Sequence, residues 1–79
     1  MRAKDAYRMI LTRGGHAPAL FADHARVDHI EVVDLHSGEV VLFWDRAPQA
    51  ASKLARALRA DLAQLQDEEF MARWSSVEH

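Results

Sequence analysis

Two apolar runs rich in β-branched and aromatic residues stand out along the chain, Ile30 to Leu35 and Val40 to Trp44, separated by a short polar stretch containing His36-Ser37-Gly38. Such runs around a short connection with Gly at its end predict a β-hairpin, with strands at about 29–35 and 39–45. Gly38 supplies the positive φ that closes a three-residue loop, and Asp34 and Ser37 suit the turn because short polar side chains bond nearby backbone. That loop sets Leu35 opposite Glu39, Val33 opposite Val41 and Glu31 opposite Phe43. It also sets Asp34 opposite Val40, Val32 opposite Leu42 and Ile30 opposite Trp44. Side chains alternate across a strand, so one face carries Ile30, Val32, Val40, Leu42 and Trp44. The other carries Val33, Leu35, Val41 and Phe43, edged by Glu31 and Glu39. A hairpin wet on one side would alternate apolar with polar. Here both faces are apolar, and each calls for a cover.

Periodicity changes after the hairpin. Ala51, Leu54, Ala55, Leu58, Leu62 and Leu65 recur at three- and four-residue spacing within a stretch free of Gly, Pro and β-branched residues. They predict a long helix at about 48–66, entered through Pro48 and with Asp45 as a candidate cap. Its stripe covers one hairpin face. The stripe fails after Leu65, where Phe70, Met71 and Trp74 fall roughly opposite it. Either the helix breaks near Gln66 and Asp67, with Asp67 capping a short terminal helix at about 68–75, or it continues and turns a second apolar face to another chain. Ser75 to His79 reads as a frayed tail.

The N-terminal third is more ambiguous. Ala3, Ala6, Tyr7, Ile10 and Leu11 make a helical stripe stopped by Gly14-Gly15, while Tyr7 to Thr12 also suits a strand with those glycines as its turn. His16 to Val27 reads either as a crossing segment or as a helical turn over Ala19 to Ala25 opened by Pro18, with Leu20 and Phe21 as core anchors. Together these elements predict one α+β domain over residues 1–79.

Composition narrows the setting. At 79 residues the chain buries only about 60% of its unfolded surface and benefits from oligomerisation. It has no cysteine, which excludes disulfides and thiolate metal sites. Ten basic and twelve acidic residues give a net charge of -2, which argues against a general nucleic-acid binder. No stretch approaches the ~20 apolar residues of a membrane span, and the N-terminus lacks the apolar core of a signal peptide. A cytoplasmic protein of a GC-rich bacterium is the expectation, the latter from the abundance of Arg over Lys and of Ala.

Chemistry is hard to find. His24 and His29, beside Asp23 and Asp28, offer imidazole and carboxylate groups, but no metal-ligand spacing such as HExxH accompanies them. The hydroxyls at Thr12, Ser37, Ser52, Ser75 and Ser76 lie in no nucleophile motif, and Glu68 and Glu69 point apart on a helix. Gly14-Gly15 is too sparse for a phosphate loop. No catalytic residue, metal ligand or cofactor is therefore assigned.

Charge layout and aromatics say more. Arg46, Lys53, Arg56 and Arg59 cluster early in the long helix, and Asp61, Asp67, Glu68 and Glu69 late, against the helix dipole. A solvated face explains this, as does an antiparallel helix pair across a two-fold axis. Phe70, Met71 and Trp74 form either the plug of the core or an interaction patch. The expectation is a non-enzymatic interaction or regulatory module, homodimeric or with another protein partner. The alternatives are a nucleic-acid regulator using Arg46, Lys53, Arg56 and Arg59, and a ligand-binding or catalytic site at His24 and His29.

Overall fold

The computed structural model describes residues 1–14 and 26–78. The sequence readings for Gly15, His16, Pro18, Leu20, Phe21, Asp23, His24 and His79 lie outside the described residues. Helix α1 (Ala3–Ala6) runs into β1 (Tyr7–Thr12); β2 (Asp28–Asp34) and β3 (Val40–Arg46) follow, then α2 (Pro48–Gln64) and α3 (Asp67–Trp74). The strands form an antiparallel sheet in the order β1-β2-β3, and the arrangement is α+β.

Of the two readings of the N-terminal stretch, helix is confined to the one turn Ala3–Ala6 and Tyr7–Thr12 is the strand. Tyr7, Met9 and Leu11 turn toward the core and Arg8, Ile10 and Thr12 away from it. Among the described residues, β1 therefore widens the sheet by one strand and does not lie over the hairpin's second face. Tyr7 pairs with Asp34, Met9 with Val32 and Leu11 with Ile30.

The hairpin pairs Ile30 with Trp44, Glu31 with Phe43 and Val32 with Leu42, as its sequence implies. Near the turn the expected register fails. Asp34 receives the Gly38 N–H at 2.8 Å and donates to the Glu39 carbonyl at 2.8 Å, so four residues, not three, form the loop. The strand absorbs the extra residue as an irregularity beside Val33, which pairs with Val40. Val40 and Val41 thereby exchange their expected faces: Val40 is exposed and Val41 packs against the core. Gly38 does take a positive φ, 75°. The Asp34 carboxylate accepts the His36 N–H at 2.7 Å, which fixes the turn.

One face of the sheet carries the core. Ile30, Val32, Leu42 and Trp44 meet the α2 stripe Ala51, Ala55, Leu58 and Leu62, with Leu54 and Leu65 packed at its margin. The long helix ends at Gln64, two residues before its expected end. It is capped by neither Asp45 nor any other side chain; Ala47 holds the N-cap position. The break before α3 is where it was expected, but the capping residue is Gln66, which forms a reciprocal capping box with Glu69. The N-terminus secures that break. Ala3 donates its N–H to the Leu65 carbonyl at 3.0 Å, Asp67 donates to the Met1 carbonyl at 2.8 Å, and the Arg2 guanidinium bonds the Ala63 carbonyl near the end of α2. The break turns Phe70 and Trp74 back onto the core, where Phe70 stacks on Tyr7 and Trp74 meets Trp44 edge-on. Beyond α3 the expected frayed tail is tied down as far as Glu78: Val77 packs against the core, and Arg46 donates to the Glu78 carbonyl. None of the described helices is long and apolar enough to cross a membrane.

Candidate functional site: the outer face of the sheet

With α1, α2 and α3 gathered on the inner face, strand alternation and register define the opposite one. Three cross-strand rows make it up: Arg8, Val33 and Val40; Ile10, Glu31 and Phe43; Thr12, His29 and Asp45. Ile10, Val40 and Phe43 are 40%, 48% and 41% exposed, and Leu35 at the hairpin end is 51% exposed. Met1 is the other large exposed hydrophobic among the described residues. Among the described residues, apolar exposure is thus concentrated on this face and its rim, Met1 apart, which is the pattern of an interaction site.

Polar groups on the face fall into two kinds. The His29 imidazole Nδ1 bonds the Asp45 carboxylate across the β2–β3 pair, and its ring stacks on Phe43 at 6.1 Å. His29 is thereby turned toward β3, and Asp45, the expected helix cap, serves as its partner. Arg8 and Glu31, by contrast, make no side-chain hydrogen bond or ion pair among the described residues. Glu31 is half-buried between Ile10 and Phe43, and Arg8 is exposed beside Val33. No cluster of three potential metal ligands occurs among the described residues.

At the end of β1, the fully buried Asp28 accepts the Gly14 N–H at 2.8 Å and lies within 3.5 Å of Arg13 and 3.7 Å of Arg26. A side chain on Gly14 would meet the Val27 carbonyl oxygen at 2.4 Å, so only glycine permits this approach. The Gly14 N–H is thus already used by the Asp28 carboxylate. Asp28 is no metal or acid–base partner of His29 either: successive positions on β2 point to opposite faces.

The basic residues of α2 are distributed differently from the expectation. Lys53 and Arg56 line an open cleft of about 600 Å³ with Pro48, Gln49, Ala50 and Ser52, and Arg13 from the end of β1 closes its other side. Arg59 is exposed on the same helix, while Arg46 bonds the carbonyls of Asp45 and Glu78. The acidic half is largely engaged within the chain. Asp61 accepts from Arg73 at 3.0 Å and from the Trp74 indole at 2.9 Å, and Asp67 faces the N-terminal amine at 3.7 Å. Phe70 and Trp74 are buried and Met71 is half-buried against them, so this trio closes the core of the chain itself.

Sequence reasoning missed Ile10 and Val40 as surface residues and Arg13 as a neighbour of Lys53 and Arg56. Nothing local marked Ile10 or Arg13. No protein-family model, no curated protein and no solved structure matches the chain.

Proposed function

We propose that the chain is a small non-enzymatic interaction module that self-associates through the outer face of its sheet. The observation that carries this reading is the gathering of Ile10, Leu35, Val40 and Phe43 on and around one face, while the other face is filled by the chain's own helices. A second copy suits the face because Arg8 and Glu31 carry opposite charges, and the Asp45 carboxylate already has His29 as a hydrogen-bond partner. A uniformly charged face would repel its own copy. Three strands of six or seven residues present a patch of roughly 14 Å by 23 Å. Two such patches amount to roughly 640 Å², below the ~1,200 Å² of stable specific interfaces, so the dimer is weak and exchanges with monomer on dilution. Sedimentation velocity across a dilution series tests this. The mass should rise toward that of a dimer with concentration, and Ile10→Glu or Val40→Glu should hold it at the monomer. A monomer at every concentration would refute the reading.

A second reading rests on the cleft. Arg13, Lys53 and Arg56 line it, and no carboxylate does so among the described residues. This favours a polyanion such as nucleic acid on the first half of α2. Binding of a labelled oligonucleotide should then weaken steeply with salt and be lost in the double variant Lys53→Glu, Arg56→Glu. Absence of binding at low salt would remove this alternative.

A further inference from the structure

We infer that Arg8 of one copy pairs with Glu31 of the other, and that this reciprocal pair sets the orientation of the dimer. The inference rests on the self-association proposed above and adds its specificity.

The positions come from the register. Arg8 lies opposite Val33 and Glu31 opposite Ile10, so the two are diagonal neighbours on one face, one row and one strand apart. They lie close enough to share an interface, yet they form no ion pair with each other within the chain. Glu31 is half-buried between apolar neighbours. Covering that face without a cation for Glu31 would strip water from a carboxylate and return nothing. Any apolar partner therefore has to bring a positive group, and a second copy brings one in Arg8. Two-fold symmetry makes the contact reciprocal: if Arg8 reaches Glu31 of the mate, the mate's Arg8 reaches Glu31 here. Two pairs then form and neither charge is stranded. The long, exposed Arg8 side chain can cross between sheets packed about 10 Å apart. A planar guanidinium against a carboxylate also fixes direction better than apolar contact alone. The His29–Asp45 pair is satisfied within each chain and does not compete.

Charge reversal gives the test. Arg8→Glu places two acidic pairs across the two-fold, and Glu31→Arg places two basic pairs there. Each variant alone should self-associate at least about tenfold more weakly than the wild type, since like charges in an interface are strongly disfavoured. Mixing the two variants restores both pairs, because at these two positions one chain then carries only acidic side chains and its mate only basic ones. The mixture should form a heterodimer with an affinity near that of the wild type, read by sedimentation with one variant fluorescently labelled. Circular dichroism of each variant checks its fold. If a reversal disturbs folding, Arg8→Ala and Glu31→Gln provide the readout, each with a weaker but measurable loss. Reversal variants that associate like the wild type, or a mixture that fails to associate, overturn the pairing while the wild-type dimer stands. A wild type that never dimerises overturns the self-association itself and the pairing with it.

Discussion

The two faces of the sheet are built from nearly the same residue types and have opposite fates. On the inner face Ile30, Val32 and Trp44 are fully buried under α2 and α3. On the outer face Ile10, Val40 and Phe43 remain about half exposed. Composition does not separate them. What separates them is where the helices land, and the N-terminal anchoring of the α2–α3 break helps to hold α1, α2 and α3 on one side. Among the described residues, neither β1 nor the α2 stripe lies over the hairpin's second apolar face, and the proposed second copy would cover it.

The contrast can be broken most forcefully at the core. Phe70→Ala should cost about 3–5 kcal/mol and Leu58→Ala about 2–5 kcal/mol in urea unfolding, because each opens a cavity under the sheet. Ile10→Ala or Val40→Ala, measured in dilute monomer, should cost no more than roughly 0.5 kcal/mol. Equal losses on both faces would mean that the outer face is packed within the chain. Asp28→Ala should cost about 1–3 kcal/mol, since it strands the Gly14 N–H that the buried carboxylate accepts. Asp28→Asn should cost less, because an amide oxygen still accepts there. Gly38→Ala should cost roughly 1–2 kcal/mol, the strain of a positive φ with a Cβ, although open space surrounds the site.

The smallest effect concerns Tyr7. Burial, with a further contribution from the Asp34 and Asp67 carboxylates, pushes its phenol pKa above the ordinary value. The neutral phenol is favoured in the folded chain, so the associated stability is fully present below the unfolded pKa of about 10 and is lost as pH rises through the folded one. Tyr7→Phe should therefore flatten the alkaline fall in melting temperature. An unchanged alkaline slope in that variant would assign the loss to other groups.

Elements with a long, regular period were legible in the sequence. The α2 stripe occupies the positions its spacing implies, and the Ile30–Trp44, Glu31–Phe43 and Val32–Leu42 pairs follow from a hairpin closed near Gly38. Features set by one residue were not. The fourth loop residue and its compensating irregularity exchange Val40 with Val41 without changing the hydrophobic pattern. Tyr7–Thr12 resisted assignment because Ile10, apolar on the outer face, breaks the alternation that would have marked a strand. The burial of Asp28 could not be read locally: its partners Gly14, Arg13 and Arg26 meet it only once β1 pairs with β2. The outer face as a candidate site was half legible. The hairpin pattern puts Val33, Leu35, Phe43 and, at the edge, Glu31 on the uncovered side, but Arg8 and Ile10 join them only in a three-stranded sheet.

Amide NMR shifts over a dilution series distinguish an outer face that meets a second copy from an inner face closed by the chain itself. Self-association through the outer face predicts concentration-dependent shifts at Arg8, Ile10, Glu31, Val33 and Val40, with Ala55, Leu58 and Phe70 unmoved. Shifts confined to Lys53 through Arg59, or none at any concentration, would contradict it.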